Sequence, residues 1–472
     1  MSPGFPKAFG QKCISFCALL LTFATCAAIA LAQADVATST LKGKVFDQAG
    51  AAVSGATVNL ANAERGLVRT VETDGSGSYR IPLLQPGSYD LRVEGHGFQP
   101  ALLKHIVLTV GQIGVRDIQL QISDIKEAVN VNATPTLVET ERTQQSDTIE
   151  RTQVTRLPNP SRNFTSYIFT LPGVADVSAA RVQQTRVAPV PTSGFAVGAG
   201  NGRANYVSID GGENDSGVGS LRVRNLSIEA VQEFQVNRNA FSAEYGFTAG
   251  TAVNVVTRSG NNAFRGSGYL FYRSEKTAAR DPLNPTSLKA YERRLSPGFT
   301  FSGPISKNRA FFFTSFEALK YDVARLRSYT SNASLLQPTG AQAAYLQTLD
   351  SGPNANADTR RIASQLRATL TTTNYPTTMK LLQGSEGRFI APARTYNWSS
   401  RFDYNPTVRD FLSGRFTLAK EDNNQLGGDN VQAPTDALLE VIDDYTTVGS
   451  WGHIFANGVV NQLRVQVAHS NY

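Results

Sequence analysis

Residues 260–472 contain several segments in which apolar and polar side chains alternate along the chain. The clearest of these segments span 396–404, 412–418 and 462–467. Because successive side chains of a β-strand point to opposite faces, each segment would form a strand with one apolar and one polar face. Transmembrane strands have this pattern. Strands of a soluble β-sandwich have it too, so alternation alone does not separate the two.

The lengths of the connections between the strands do separate them. Short turns alternate with long loops, the turns at 303–309, 405–410 and 456–458 and the loops at about 274–292, 319–393 and 421–444. Short turns on one side and long loops on the other are typical of an outer-membrane β-barrel. We therefore predict seven transmembrane strands, at 264–273, 295–302, 310–318, 395–404, 411–420, 445–455 and 459–469.

Aromatic residues lie near the ends of these predicted strands. They are Tyr269, Tyr272, Phe311, Phe312, Phe313, Trp398 and Trp451. Aromatic girdles at the two membrane interfaces accompany transmembrane barrels, and we predict that role for these side chains. Packing in an ordinary core is the alternative for the three phenylalanines.

The first 32 residues are typical of a secretory signal peptide. Lys7 and Lys12 precede an apolar run over 14–32, which ends in Ala-Leu-Ala. The alternative is a membrane anchor, since 19 apolar residues are just long enough to span a bilayer. All the cysteines fall within this leader, at Cys13, Cys17 and Cys26. Without the leader, the chain has no disulfide, no thiolate zinc site and no cysteine nucleophile.

Several function classes are disfavoured by the remaining residues. The four histidines do not occur in a His-Glu-x-x-His motif, and the formal net charge of +7 is scattered without a basic run. We predict no catalytic, cofactor or metal site, no enzymatic activity and no nucleic-acid partner.

Residues 38–123 contain short strands separated by turn residues at intervals that predict a small β-sandwich. The turns include Asp47-Gln48-Ala49-Gly50, Thr73-Asp74-Gly75-Ser76-Gly77 and Leu84-Gln85-Pro86-Gly87. Together with Gly43-x-Val45 and Tyr89-x-Leu91-x-Val93, they resemble the carboxypeptidase regulatory-like, or prealbumin-like, domain. That domain is non-catalytic in its family, so the resemblance does not imply a peptidase.

Residues 125–259 carry three motifs in order. They are Gly202-Arg203-x-Asn205 with Asp210-Gly211, the segment Ile228–Val236, and Tyr245-Gly246 followed by Val253-Asn254-Val255-Val256-Thr257-Arg258. This unit resembles the α+β plug domain of TonB-dependent outer-membrane receptors. We predict polar contacts between the plug and the barrel wall at Arg203 and Asp210. The order of units is similar to that of large receptors with a regulatory-like domain ahead of the plug.

The segment that binds TonB is less clearly marked. The resemblance suggests Val129, Asn130 and Val131 as contacts with TonB, within the short alternating run 127–133. The alternative is that this run is the first strand of the plug.

The whole chain is thus predicted to be mainly β: a prealbumin-like sandwich, an α+β plug and a partial transmembrane antiparallel barrel over 260–472. Plugged transporters have about 22 strands. We therefore expect this sequence to be the N-terminal part of a longer receptor, unable by itself to form a working pore.

The resemblance implies energised uptake of a large or scarce ligand across the outer membrane of a Gram-negative cell. The implied partners are a TonB-type energy-coupling protein, outer-membrane lipid and a ligand that is an oligosaccharide, a peptide or a metal chelate. The alternatives are a surface adhesin or structural barrel that transports nothing, and a secreted peptidase suggested only by the name of the first domain.

Overall fold

The computed structural model describes residues 37–122, 129–130, 145–159, 162–176, 194–197, 205–214, 226–239, 248, 250–279, 291–327, 340–371, 387–425, 438–455 and 458–471. The predicted signal peptide lies outside these residues. The chain divides into two compact units. One comprises residues 1–142 with 404–412 and 450–464, and the other comprises 143–403, 413–449 and 465–472.

A β-sandwich is formed by residues 39–122 together with 129–130. Its strands are β1 Ser39–Phe46, β2 Thr57–Asn62, β3 Leu67–Glu72, β4 Ser78–Leu84, β5 Gly87–Glu94, β6 Ala101–Leu108, β7 Ile113–Val115, β8 Ile118–Gln119 and β9 Val129–Asn130. One sheet has the order β4-β1-β7, with β8 also on β1, and the other has the order β3-β2-β5-β6-β9. The faces between the sheets are apolar, with Leu41, Leu60 and Leu91 fully buried.

One close approach between backbones fixes a glycine in β1. A Cβ atom on Gly43 would lie only 1.8 Å from the carbonyl oxygen of Arg116. The same carbonyl accepts a hydrogen bond of 2.6 Å from the hydroxyl of Tyr79. Any side chain at position 43 would therefore push β1 away from the segment that joins β7 and β8.

The described residues between 145 and 257 form a mixed sheet, and we call this part of the chain the plug segment after the sequence prediction. Its strands are β10 Gln145–Ile149, β11 Val174–Asp176, β12 Phe195–Val197, β13 Tyr206–Ile209, β14 Gly212–Glu213, β15 Val231–Asn239 and β16 Ala252–Thr257. The order is β10-β15-β16-β13-β14, while β11 pairs with β12. Helix α1 covers Arg151–Arg156, and 3-10 turns cover Phe164–Thr170 and Ile228–Ala230. All six side chains of β16 are buried, so the sheet is covered on both faces.

The remaining strands form one seven-stranded sheet in sequence order. They are β17 Arg265–Ser274, β18 Glu292–Ser306, β19 Ala310–Arg327, β20 Gly387–Tyr404, β21 Asp410–Gln425, β22 Leu438–Ile454 and β23 Val460–Asn471. Every predicted barrel strand is thus confirmed, and most extend further towards the long loops. We call this sheet the wall.

The predicted alternation is present in the wall. Along β20, Tyr396, Trp398 and Phe402 are 41–52% exposed, whereas Asn397 and Arg401 are at most 7% exposed. One face of the wall is therefore apolar and open, and the other is polar and covered.

Two sequence predictions about this sheet are wrong. Phe311 and Phe313 are buried on the polar side of β19, Phe313 within the core of the plug segment, so they form no girdle. Tyr269 also points to that side, where its hydroxyl donates to Glu317. A strand start alone does not reveal which face an aromatic side chain takes, because that depends on register.

The predicted loop over 319–393 also needs correction. β19 continues to Arg327, and two helices follow, α2 over Gly340–Ser351 and α3 over Ala357–Thr371. An ion pair between Arg367 and Asp350 joins the two helices. No helix in the described part of the chain is long and apolar enough to cross a membrane.

Candidate functional site

The turn between β13 and β14 places a carboxylate on the surface of the plug segment. Asp210 and Gly211 both have positive φ, at 50° and 73°. This is the combination that a tight type I′ turn requires. Strand β13 runs parallel to β16, and the Asp210 carboxylate accepts hydrogen bonds from the Thr257 amide at 2.9 Å and the Thr257 hydroxyl at 2.6 Å. The plug sheet thus fixes the orientation of this carboxylate.

Two arginines of the wall bind the same carboxylate. Arg401 on β20 donates from Nη1 to Asp210 Oδ1 at 2.9 Å. Arg415 on β21 places its Nε 3.1 Å from Asp210 Oδ2. Both guanidinium groups also donate to plug carbonyls, Arg401 to Thr257 at 3.0 Å and Arg415 to Ile209 at 3.2 Å. Plug and wall are therefore joined by charge-assisted hydrogen bonds.

A second carboxylate balances the charge. Asp403, two residues beyond Arg401 on the same face of β20, accepts from the Arg401 Nε and Nη2 atoms at 3.0–3.1 Å. Ser259, which follows the last plug strand, donates to Asp403. Two carboxylates thus face two guanidinium groups, all of them nearly inaccessible to solvent. We call Asp210, Thr257, Arg401, Asp403 and Arg415 the plug clasp.

The β13–β14 hairpin makes further contacts next to the plug clasp. Gln466 on β23 accepts from the Glu213 amide and donates to the Glu213 carbonyl, both at 2.7 Å. A Cβ atom on Gly212 would lie 2.4 Å from Cγ2 of Val448 on β22. The hairpin is therefore held by four consecutive strands of the wall, β20 to β23.

A second buried ion pair joins the plug segment to the other end of the sheet. Arg162 makes two hydrogen bonds to the Glu317 carboxylate on β19, at 3.1 and 2.9 Å. Glu317 also accepts from Ser227 at 2.8 Å and from Tyr269 at 2.9 Å. The Arg162 guanidinium lies 3.9 Å from the centre of the Phe271 ring, a cation–π distance. These hydrogen bonds and the Glu317 charge raise the pKa of Arg162 against the opposing effect of burial.

The residues predicted from the sequence fall in different places. Asp210 lies in the plug clasp, whereas Arg203 and Val131 are outside the described residues. Val129 and Asn130 form β9, which pairs in parallel with Ala101 and Leu102 of β6. Val129 and Asn130 therefore extend the sandwich sheet rather than the plug sheet, because they pair with β6.

Sequence reasoning missed the wall residues of the plug clasp and the Arg162–Glu317 pair. The sequence did carry a signal for the wall residues of the plug clasp. Arg401, Asp403 and Arg415 occupy the polar face of strands whose alternation is clear. Charged groups on the covered face of a sheet need partners, because an unpaired buried charge is very costly. Which plug residue supplies the partner depends on the fold.

The described residues contain no cluster of three or more His, Cys, Asp or Glu side chains suited to hold a metal ion. The charged side chains of the plug clasp are paired with one another. They therefore position the plug segment on the wall.

Two family descriptions match the chain. Residues 40–121 match the carboxypeptidase regulatory-like domain. Residues 256–472 match the outer membrane beta barrel domain.

A curated relative is the TonB-dependent transporter Oar of Myxococcus xanthus, which is 25% identical over 262 residues. That match covers 52% of this chain and 23% of Oar. Among solved structures, the siderophore receptor PirA of Acinetobacter baumannii has a TM-score of 0.44 and 16% identity, over 69% of this chain and 40% of PirA. The outer membrane transporter YddB of Escherichia coli has a TM-score of 0.42 and 14% identity, over 68% of this chain and 38% of YddB.

The chain thus spans less than half the length of the proteins it resembles. A barrel domain preceded by a regulatory-like domain, in a chain similar over half its length to a TonB-dependent transporter, is the organisation that the sequence motifs predicted. The chain therefore combines a region similar to the carboxypeptidase regulatory-like domain with a region similar to the outer membrane beta barrel domain, and it is similar over 262 residues to a TonB-dependent transporter.

Proposed function

We propose that this chain acts in the energised uptake of a ligand across the outer membrane of a Gram-negative cell. The plug segment closes the passage along the polar face of the wall. A TonB-type protein supplies the work that displaces it, and Val129, Asn130 and Val131 remain the proposed contacts with that protein. The proposed role is non-enzymatic, with the charged groups of the site holding the plug segment in place.

The plug clasp is the observation that carries this proposal. Its four charges are buried and mutually paired, and removing one partner from such a group typically costs about 3–5 kcal/mol. A plug held in this way stays in place under thermal motion but is released when an external force separates the charges together. Asp210 is central because it contacts two strands of the wall.

A cavity beside the plug segment supports ligand entry from the side of the long loops. It has a volume of about 640 Å³ and is lined by residues that include Tyr167, Arg273, Arg294 and Tyr321. That volume falls in the range of small-molecule sites. Guanidinium groups beside tyrosines suit ligands rich in carboxylate, catecholate or hydroxyl oxygens. Oligosaccharides, acidic peptides and metal chelates all present such groups, so all three remain proposed ligand classes.

A reversible lock on the plug segment tests the transport mechanism. The variant with Gly212→Cys and Val448→Cys brings two thiols together where a Cβ on Gly212 would contact Val448. The chain has no cysteine after Cys26, so only this pair can form a disulfide within the mature part. The probes are a fluorescent oligosaccharide, a fluorescent acidic peptide and a ferric catecholate chelate.

If the proposal is right, cells with a TonB-type protein accumulate one of these probes and cells lacking it do not. The oxidised lock variant binds the same probe at the surface without accumulating it, and dithiothreitol restores accumulation. Val448→Cys alone is the matched control and behaves as wild type. Binding without accumulation in every strain would instead favour the adhesin or structural alternative.

A further inference from the structure

Leu83, at the end of β4 of the sandwich, adopts an unusual conformation. Its φ is +55°, which is uncommon for a residue with a bulky side chain, yet the side chain is only 8% exposed. The neighbour that covers it is Gly452 on β22, where an added Cβ would lie 2.8 Å from the Leu83 Cδ1 atom. A strained residue persists when its surroundings compensate for the strain, and here the surroundings include a wall strand.

Arg69 makes a second contact of the same kind. It lies on β3 opposite Leu60 and donates from Nη1 to the carbonyl oxygen of Val408 at 3.1 Å. Its guanidinium group also stacks over the ring of Phe411, 3.2 Å from the ring centre. Val408 belongs to the short turn between β20 and β21, and Phe411 belongs to the first residues of β21.

The two contacts are parts of one surface. The Cβ position of Gly452 lies 3.9 Å from the Phe411 ring as well as beside Leu83. Residues 404–412 and 450–464 belong to the same compact unit as the sandwich. We call Arg69, Leu83, Val408, Phe411 and Gly452 the rim contact.

The chemistry of the rim contact is complementary. A buried leucine meets a glycine that leaves room for it, and a guanidinium group meets a carbonyl and an aromatic face, both of which attract cations. Burial lowers the pKa of the Arg69 guanidinium to about 9, so the group remains charged at neutral pH.

We infer that the regulatory-like domain docks on the short-turn rim of its own barrel, through β3 and the end of β4. The partner surface is the turn between β20 and β21 together with the adjoining end of β22. The domain is then a fixed part of the rim and does not swing freely on its linker. Only the assignment of this rim to the periplasmic side rests on the proposed function, because short turns face the periplasm in such barrels.

A disulfide test separates a docked domain from a tethered one. In the full chain, the variant with Leu83→Cys and Gly452→Cys replaces the pair of residues that touch. The control pairs Leu83→Cys with Lys307→Cys, an exposed residue of another short turn of the wall. We expect mild oxidation to link the first pair and not the second, as read by non-reducing electrophoresis and by mass spectrometry of the linked peptides. Equal linking of both pairs would show a tethered domain and overturn the inference.

A labelling measurement covers the case in which the double variant does not fold. Phe411→Cys is reacted with a maleimide in the full chain and in a chain lacking residues 37–122. We expect labelling about tenfold slower in the full chain, since a covered thiol reacts only when the contact opens. Adding Arg69→Ala should remove most of that protection. Identical rates in all three proteins would overturn the inference, and neither measurement depends on uptake of any ligand.

Discussion

The sandwich and the plug segment differ in where their cores come from. The apolar cluster of the sandwich is built entirely from its own strands and turns, from Leu41 to Leu120. The cluster of the plug segment includes Phe313 and Ala419, which belong to wall strands β19 and β21. The sandwich therefore carries the residues for a complete core, whereas the plug segment completes its core with side chains of the wall.

The buried polar groups of the two regions also differ in where they find their hydrogen-bonding partners. Buried Thr73 of the sandwich bonds to its own backbone, accepting from Ala56 and donating to Val53. Buried Asp210 of the plug segment bonds to charges on the wall. The plug segment is therefore shaped for a partner, whereas the sandwich satisfies its buried groups by itself.

The largest effect is expected from Asp210→Ala. The variant leaves Arg401 and Arg415 buried, with only the Asp403 carboxylate on Arg401 left to balance their charges. We expect the free energy that holds the plug segment in place to fall by about 3–5 kcal/mol. Limited proteolysis within 145–259 and sensitivity of expressing cells to a bulky antibiotic should both rise. Glu213→Gln, an exposed change on the same hairpin, is the control and should have no effect. Equal behaviour of the two variants would show that the plug clasp does not hold the plug segment in place.

Leu91→Ala tests the self-contained core of the sandwich. Leu91 is fully buried, and its truncation should cost about 2–5 kcal/mol of unfolding free energy. Because the core uses no outside residue, the same loss is expected in an isolated fragment of residues 37–122 and in the full chain, as measured by urea unfolding. Val107→Ala, exposed in the same sheet, should change stability little. If the fragment is unfolded even without a mutation, the sandwich does not carry a complete core of its own.

A smaller loss is expected from Tyr79→Phe. The Tyr79 hydroxyl donates to the Arg116 carbonyl at 2.6 Å, and burial raises the pKa of this tyrosine. Removing one such hydrogen bond should destabilise the sandwich by about 1 kcal/mol. Urea midpoints of the two proteins report the difference, and an unchanged midpoint would show that water replaces the lost donor.

The smallest effect is a pH dependence in the exposed turn at Asp74. Hydrogen bonds from the Ser76 side chain, and then from the Ser78 and Ser76 amides, lower the pKa of Asp74. A lowered folded-state pKa contributes stability that is present above the unfolded value of about 3.9 and is lost as pH falls through the folded value. Asp74→Asn should therefore flatten the acid limb of sandwich stability below a pH of about 4. An identical acid limb in both proteins would show that the turn contributes nothing.

Much of the strand pattern was predictable because neighbouring side chains report it directly. In 396–404 the alternation of aromatic with polar residues predicted both a strand and its two faces, and the structure confirms them. The helices α2 and α3 were missed inside a long loop, where the apolar pattern is weak. Phe311 and Phe313 were misassigned because a run of three phenylalanines supplies side chains to both faces and does not say which face is covered.

The sequence by itself determined the order of the units, the strands of the wall and the turn chemistry at Asp210-Gly211, since these depend on residues that are close along the chain. Only the tertiary structure decided that Asp210 meets Arg401 and Arg415, 191 residues or more away, and that Leu83 meets Gly452. The physical reason is that a strand's own sequence sets which side chains face inward. The strands and turns that come to lie opposite it set which charge or cavity each side chain meets.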